Sequence, residues 1–183
     1  MKNFTFIPSN SYSIEVMHTI GFAPKIQHAQ IDETLLKKET PVKYIERITK
    51  EKAQSIWQEG INVFAVHKAV FVGRRLITVP QNIDEARNIL KLYSGQNHTI
   101  YAGICLIKQD GTTSQKHTFT RVKMRNLPPK SIEEFVSSNE WQNQIGGYNP
   151  SGIMQKHIIK IVGSHTGFFG CPSYEAFNLI NQM

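Results

Sequence analysis

The sequence predicts an α/β protein whose mixed β-sheet is flanked by helices. Strand-like stretches alternate along the chain with amphipathic stretches of helical period, and this alternation is typical of the α/β class. The most apolar run in the middle of the chain, residues 61–80, follows one helical pattern and precedes another, as a core strand does. An Asp110-Gly111 turn between two extended stretches predicts a hairpin, so part of the sheet is expected to be antiparallel.

Apolar runs and alternating residues locate the strands. The central run is interpreted as two short strands, with His67 and Lys68 as the interruption and a tight turn at Gly73-Arg74-Arg75 after them. The predicted strands cover residues 4–7, 25–31, 63–66, 69–72, 98–107, 118–124 and 157–162.

Capping residues locate the helices. Thr40 as N-cap and Pro41 at the first helical position open the longest helix, which is basic and which Gly60 closes. The other helices are predicted over residues 14–20 with Ser13 as N-cap, from Asn82 to Tyr93, from a Ser131/Glu134 capping box to Val136, and from Pro172-Ser173 onward.

Length and composition limit the classes of protein. A chain of 183 residues predicts one domain spanning residues 1–183. The net charge of +7 favours anionic partners, although scattered Lys and Arg explain a merely basic surface equally well. Two distant cysteines argue against a disulfide scaffold or a zinc site. The N-terminal residues lack the apolar stretch of a signal peptide and no run is long enough to cross a bilayer, so we expect a cytoplasmic protein without a membrane partner.

Three short stretches carry candidate site residues. His67 and Lys68 lie where a sheet presents a strand end, the place where α/β proteins gather ligands; strand alternation directs their side chains to opposite faces. The hydroxyl-rich loop with Ser9 and Ser11 joins a strand to a helix and can cradle phosphate through helix-start N–H groups. The acidic pair Asp32-Glu33 is either a site or a solvated turn.

Six segments follow one another in an order that is typical of a known family. They are Asp32-Glu33, Glu51-Lys52-Ala53, residues 92–103, residues 120–124, Gly146-Gly147-Tyr148 and residues 163–172. With these segments the chain resembles the Maf (septum-formation-inhibitor) family of nucleoside triphosphate pyrophosphatases over nearly its whole length. The resemblance implies an elongated sheet with two lobes and a central cleft, as in inosine triphosphate pyrophosphatase-like proteins.

The departures from the family pattern fall in its catalytic motifs. The arginines of the family's first loop are absent from residues 9–13, and the family's Ala-Asp-Thr corresponds to Val66-His67-Lys68. Its Gly-Lys-Pro corresponds to Thr78-Val79-Pro80, and its glutamine corresponds to Ser151. The resemblance therefore implies the following site: Glu33, Lys52 and His67 as catalytic residues, with His67 replacing the family's Asp; Ser9, Ser11, Lys68 and Ser151 as nucleotide-binding residues; and Glu33 as the metal ligand.

Family members cut a nucleoside triphosphate between its α and β phosphates with Mg²⁺ or Mn²⁺. Because the Asp and several cations are replaced, we expect hydrolysis to be weak or absent, and a metal cofactor only if the chain is active. His67 either fills space at a strand end or has taken a new role.

The alternatives to a weak or inactive pyrophosphatase are an active, divergent nucleotide pyrophosphatase and a non-catalytic protein that binds nucleotide or nucleic acid. Nucleic acid ranks last, because stacking motifs are absent. A nucleotide is the expected partner, and a homodimer is kept open as the assembly.

Overall fold

The computed structural model describes residues 2–183, which group into two compact units. The first unit contains the N-terminal part of the chain up to Lys68, together with Tyr101–Phe119 and Ser164–Met183. The second unit contains Ala69–Ile100 and Thr120–Gly163. Within residues 2–183, no helix combines the length and the apolar character that a bilayer crossing requires.

Residues 2–183 form a seven-stranded sheet, and this confirms the predicted α/β class. Its order is β2-β1-β3-β5-β6-β7, with β4 paired to β3. β1 is parallel to β2 and to β3, whereas the β3/β4 and β6/β7 pairs are antiparallel. The strands are β1 (Thr5–Ile7), β2 (Lys25–Ile26), β3 (Val63–Val72), β4 (Arg75–Ile77), β5 (Asn97–Ile107), β6 (Thr113–Met124) and β7 (Ile158–Gly163).

The helices lie between these strands in the sequence. They are α1 (Ser11–Thr19), α2 (Pro41–Ile56), α3 (Ile83–Tyr93), α4 (Pro129–Ser137), α5 (His165–Phe169) and α6 (Ser173–Ile180), with a 3₁₀ turn at Ile153–His157. The predicted N-caps of α2 and α3 are confirmed, since Thr40 Oγ1 accepts from the Lys43 N–H and Asn82 Oδ1 accepts from the Glu85 N–H.

In the first unit, the beginning of β3 is buried on both faces. Val63 and Ala65 belong to an apolar cluster that includes Ala53 of α2. Phe64 and Val66 belong to a second cluster that includes Met17 and Leu179, from α1 and α6. Since successive side chains of a strand alternate, the next two residues of β3 continue these two faces in turn.

In the second unit, a buried aromatic cluster joins segments that carried the family resemblance. The His98 ring stacks on Tyr93 with centroids 4.1 Å apart, and its Nε2 lies 2.8 Å from the Tyr148 hydroxyl. The Tyr93 hydroxyl donates to the Gly146 carbonyl at 2.8 Å. These three contacts give Tyr93, His98 and Tyr148 a structural role in holding this unit together.

The central apolar run is one strand of ten residues and not two short strands. His67 and Lys68 interrupt the apolar pattern but keep the extended backbone, and both are buried. The predicted turn is narrower than expected, because Arg75 already begins β4, which pairs with Phe71 and its neighbours. The strand expected over residues 25–31 is wrong beyond Ile26, because the chain has no regular secondary structure from residue 27 to residue 36.

Two predicted helix starts and one predicted helix end were wrong, and one short helix was not predicted. α1 begins at Ser11 with Asn10 as N-cap, and Ser13 is the N3 residue of its capping box. The Ser131/Glu134 capping box is absent, since α4 starts after Pro128 without a side-chain cap. α2 ends at Ile56, ahead of Gly60. α5 was not predicted, because its five residues are too few for a periodic pattern.

Candidate functional site

Glu33, Lys52 and His67 form one polar cluster in the first unit. The Lys52 ammonium lies 2.6 Å from Glu33 Oε1 and 3.1 Å from His67 Nδ1. His67 Nε2 lies 3.9 Å from Glu33 Oε2. The side chains of Lys52 and His67 are buried, whereas the Glu33 side chain is 45% exposed. The three residues predicted to be catalytic are therefore brought together.

Helix α2 fixes the loop that carries Glu33. The Tyr44 hydroxyl donates to the Glu33 carbonyl at 2.9 Å, and Arg47 donates to the Thr34 carbonyl at 3.0 Å. Arg47 also makes two hydrogen bonds of 2.7 and 2.8 Å with the Glu39 carboxylate. Residues 27–36 have no regular secondary structure, so these bonds hold the acidic pair in place.

The roles of Tyr44 and Arg47 were not predicted from the sequence. A signal was present, because Tyr44, Ile48 and Lys52 recur at intervals of four and so share one face of a helix. The first two of these residues are fully or almost fully buried, and Lys52 is 8% exposed. This face brings the Lys52 ammonium and the Tyr44 hydroxyl to the same acidic loop.

His67 is neutral in this arrangement. Burial lowers the pKa of His67 well below its usual range, and the charge of Lys52 lowers it further. The Lys52 ammonium can only donate, so His67 Nδ1 is the acceptor and the ring proton is assigned to Nε2. Burial, followed by the charge of Glu33, raises the pKa of Tyr44 to about 12, which keeps its hydroxyl a donor at neutral pH.

Lys68 lies on the other face of β3 from His67. It is 4% exposed, and within residues 2–183 its ammonium has neither a hydrogen-bond nor an ion-pair partner. Burial lowers the pKa of Lys68 to about 8. A Cβ atom placed on Gly170 would lie 3.1 Å from Lys68 Cδ and 3.1 Å from Asn10 Nδ2, so the lysine stem packs beside the N-cap of α1.

The loop between β1 and α1 is tied to the turn after α5. Ser9 Oγ donates to the Gly170 carbonyl at 3.3 Å, and Asn10 Nδ2 donates to the Phe169 carbonyl at 2.9 Å. Ser11, the first residue of α1, is exposed. Ser9 and Ser11 flank the N-cap Asn10, beside which the stem of Lys68 packs. The φ of +114° at Gly170 is a conformation that favours glycine.

Ser151 is the predicted site residue that lies in the second unit. It is exposed, and its backbone N–H donates to Asn149 Oδ1 at 2.9 Å.

The stretch Thr78-Val79-Pro80 is also in the second unit, beside two cavities. One of about 360 Å³ is lined by Arg75, Leu76, Ile77, Thr78, Glu85, Asn88 and Ile89, and one of about 280 Å³ by Val79, Pro80, Gln81, Trp141, Gln142 and Asn143.

The donors around Glu33 do not fit a Mg²⁺ or Mn²⁺ ion held by the protein. Mg²⁺ requires near-octahedral oxygen ligands, and imidazole suits softer metals. Here one carboxylate faces one imidazole, and that carboxylate already neutralises Lys52. Within residues 2–183 no group of three or more His, Cys, Asp and Glu side chains is arranged to hold a metal.

Lys52 engages both groups of the cluster that could accept a proton from water. A base for water must have an unprotonated acceptor within hydrogen-bond reach. Lys52 occupies the acceptor nitrogen of His67, whereas it pairs with only one oxygen of Glu33, and the other carboxylate oxygen lies 3.9 Å from His67 Nε2. The first unit thus holds two buried lysines on opposite faces of β3: Lys52 of α2, which is paired with Glu33, and Lys68 of the strand itself.

The chain belongs to the Maf-like protein family, whose sequence model matches residues 9–183. A dTTP/UTP pyrophosphatase of Mesorhizobium japonicum is 37% identical over 177 residues, which cover 92% of this chain and 85% of the relative. A dTTP/UTP pyrophosphatase of Rhizobium meliloti is 34% identical over 91% of this chain and 85% of its own length. These relatives confirm the family resemblance.

Among solved structures, the fold is similar to a nucleoside-triphosphatase, or dITP/XTP pyrophosphatase, from Mycobacterium abscessus. The TM-score is 0.43 at 10% sequence identity, with 82% of this chain and 83% of the other covered.

Proposed function

We propose that this Maf-family chain binds a nucleoside triphosphate and hydrolyses it weakly or not at all. The observation that carries this proposal is the Lys52 ammonium, which lies 2.6 Å from Glu33 and 3.1 Å from His67. One lysine thus engages both groups that could activate water. Removing a single electrostatic group from an active site typically lowers the rate by ~10²–10³. Hydrolysis is therefore expected to be far below that of an active pyrophosphatase.

The expected ligands are pyrimidine nucleotides. The relatives named above act on dTTP and UTP, so these two are the first candidates. Lys52 and Lys68 are proposed to supply the positive charge for the phosphates, and Ser9 and Ser11 flank the N-cap Asn10, beside which Lys68 packs. A nucleotide-binding role for Ser151 stays a prediction.

An active, divergent pyrophosphatase is the second candidate function. The Glu33 side chain is 45% exposed, so a phosphate group that drew Lys52 away would leave a free carboxylate. This alternative predicts pyrophosphate release that depends on added Mg²⁺ or Mn²⁺.

The test is pyrophosphate release from UTP and dTTP with Mg²⁺ and, separately, Mn²⁺. The Mesorhizobium japonicum relative serves as the positive control in the same assay. The proposal predicts little or no release, together with a calorimetric binding signal for the same nucleotides. Turnover near ~1 per second that disappears in Glu33→Ala would instead establish the active alternative.

A further inference from the structure

We propose that Lys68 and the N-terminus of α1 form an anion site that takes the polyphosphate of a nucleotide without a divalent metal. This inference rests on the proposed nucleotide binding and specifies its chemistry. In this chain the Lys68 ammonium would supply the positive charge that a metal ion and the first-loop arginines supply in the family pattern. The ligand class is a free nucleoside triphosphate or another polyphosphate.

The strand register brings the two parts of this site together. β1 is parallel to β3, and Ile7 is paired with Ala65. The loop that follows Ile7 therefore leaves the sheet beside the residues that follow Ala65 in β3. Lys68 continues the face of Phe64 and Val66, the face that packs against α1. Its stem reaches the N-cap Asn10 beside Gly170.

Lys68 is a buried cation that has no counterion among residues 2–183. An uncompensated charge is costly to bury, and the cost is relieved when an opposite charge binds. Burial lowers the pKa of Lys68 to about 8, which leaves most of the lysine protonated at neutral pH. A bound phosphate would therefore supply the missing counterion of an already charged group.

The start of α1 adds hydrogen-bond donors. The Asn10 side chain satisfies the Ser13 N–H, and the Ser13 hydroxyl accepts from Ser9 and Asn10. The N–H groups of Ser11 and Tyr12 lie in the first turn and have no intrahelical acceptor. The first turn of α1 carries no acidic side chain, so the positive end of the helix is free to face an anion.

Calorimetric titration of the full chain tests the proposal. The probes are UTP and inorganic tripolyphosphate, each measured with EDTA and with Mg²⁺. We expect both probes to bind in EDTA at least as tightly as in Mg²⁺, since a metal bound to the phosphates competes with Lys68. Lys68→Met should weaken binding by about 10- to 100-fold, whereas Lys68→Arg keeps the charge and should retain most of it.

Lys50→Met is the matched control, because Lys50 is an exposed lysine of α2 in the same unit. It should leave both affinities unchanged. Circular dichroism and thermal melting of each variant establish that it is folded.

The outcomes separate the two proposals. Binding that requires Mg²⁺, or binding in EDTA that Lys68→Met leaves intact, overturns the metal-independent site and preserves the proposed nucleotide binding. No binding of UTP under either condition overturns both. Binding of tripolyphosphate in EDTA that is lost only in Lys68→Met supports the site.

Discussion

His67 and Lys68 are neighbours in β3, and their side chains serve opposite faces of the sheet. His67 contacts Lys52 of α2, whereas Lys68 packs beside Asn10 and Gly170. Strand alternation separates the two groups, so one strand end carries two polar environments. In the environment of His67, the Lys52 ammonium is paired with the Glu33 carboxylate. In the environment of Lys68, the ammonium has no counterion among the described residues.

Replacing Lys68 by methionine should stabilise the unliganded protein. Methionine has a similar length and removes a buried charge that has no partner within residues 2–183. We expect the free energy of unfolding at pH 7, measured by urea denaturation, to rise by about 1–3 kcal/mol. Lys50→Met should change it by less than about 0.5 kcal/mol, as surface substitutions do.

This stabilisation should depend on pH. The pKa of Lys68 is about 8 in the folded chain and 10.5 ordinarily, so the unfolded state binds more protons between these values. The stability of the natural chain should therefore rise with pH across this interval relative to Lys68→Met. The penalty is complete below pH 8 and disappears above about pH 10.5. A difference that stays constant from pH 7 to 10 would contradict a buried, titrating lysine.

Nucleotide binding should weaken at alkaline pH. Only the protonated form of Lys68 attracts phosphate, so the affinity for tripolyphosphate in EDTA should be level below pH 8 and fall above it. Lys68→Arg is the control, because a guanidinium stays charged throughout this range. Equal pH profiles for the two proteins, from calorimetry at pH 7, 8 and 9, would assign the dependence to another group.

Replacing His67 by aspartate should restore metal-dependent chemistry. It would place a second carboxylate beside Lys52 and Glu33, and hard metal ions prefer oxygen ligands. We expect pyrophosphate release from UTP with Mn²⁺ to rise at least ~10-fold over the natural chain. Asparagine has the same size as aspartate but no charge, so His67→Asn should show no gain in pyrophosphate release. If the two variants behave alike, a carboxylate at position 67 does not promote hydrolysis.

Removing the Tyr44 hydroxyl should loosen the acidic loop. In Tyr44→Phe the Glu33 carbonyl loses its 2.9 Å hydrogen bond, and we expect a loss of about 0.5–1.5 kcal/mol in the free energy of unfolding. Amide exchange of residues 32–36 should also become faster than in the natural chain. Tyr174→Phe is the matched control, because Tyr174 is 75% exposed in α6. Unchanged exchange in Tyr44→Phe would show that Arg47 alone holds the loop.

Local chemistry was enough to predict much of this fold. The N-caps of α2 and α3 were visible because capping is set by residues three or four apart, and the Asp110-Gly111 turn was visible for the same reason. The family motifs located Glu33, Lys52 and His67, which the structure brings together. The start of α1 was misplaced because Asn10 and Ser13 are both good capping residues, and the loop geometry selects Asn10.

The sequence by itself determined the α/β class, the main helices and the family. Those properties follow from periodicity, caps and ordered motifs, all of which are short-range patterns. Only the tertiary structure decided that β3 continues through His67 and Lys68, and that His67 has a polar partner whereas Lys68 has none in the described part of the chain. The physical reason is that burial of a polar side chain depends on atoms distant in the sequence. For His67 these come from Glu33 and Lys52, and for Lys68 from the turn at Gly170.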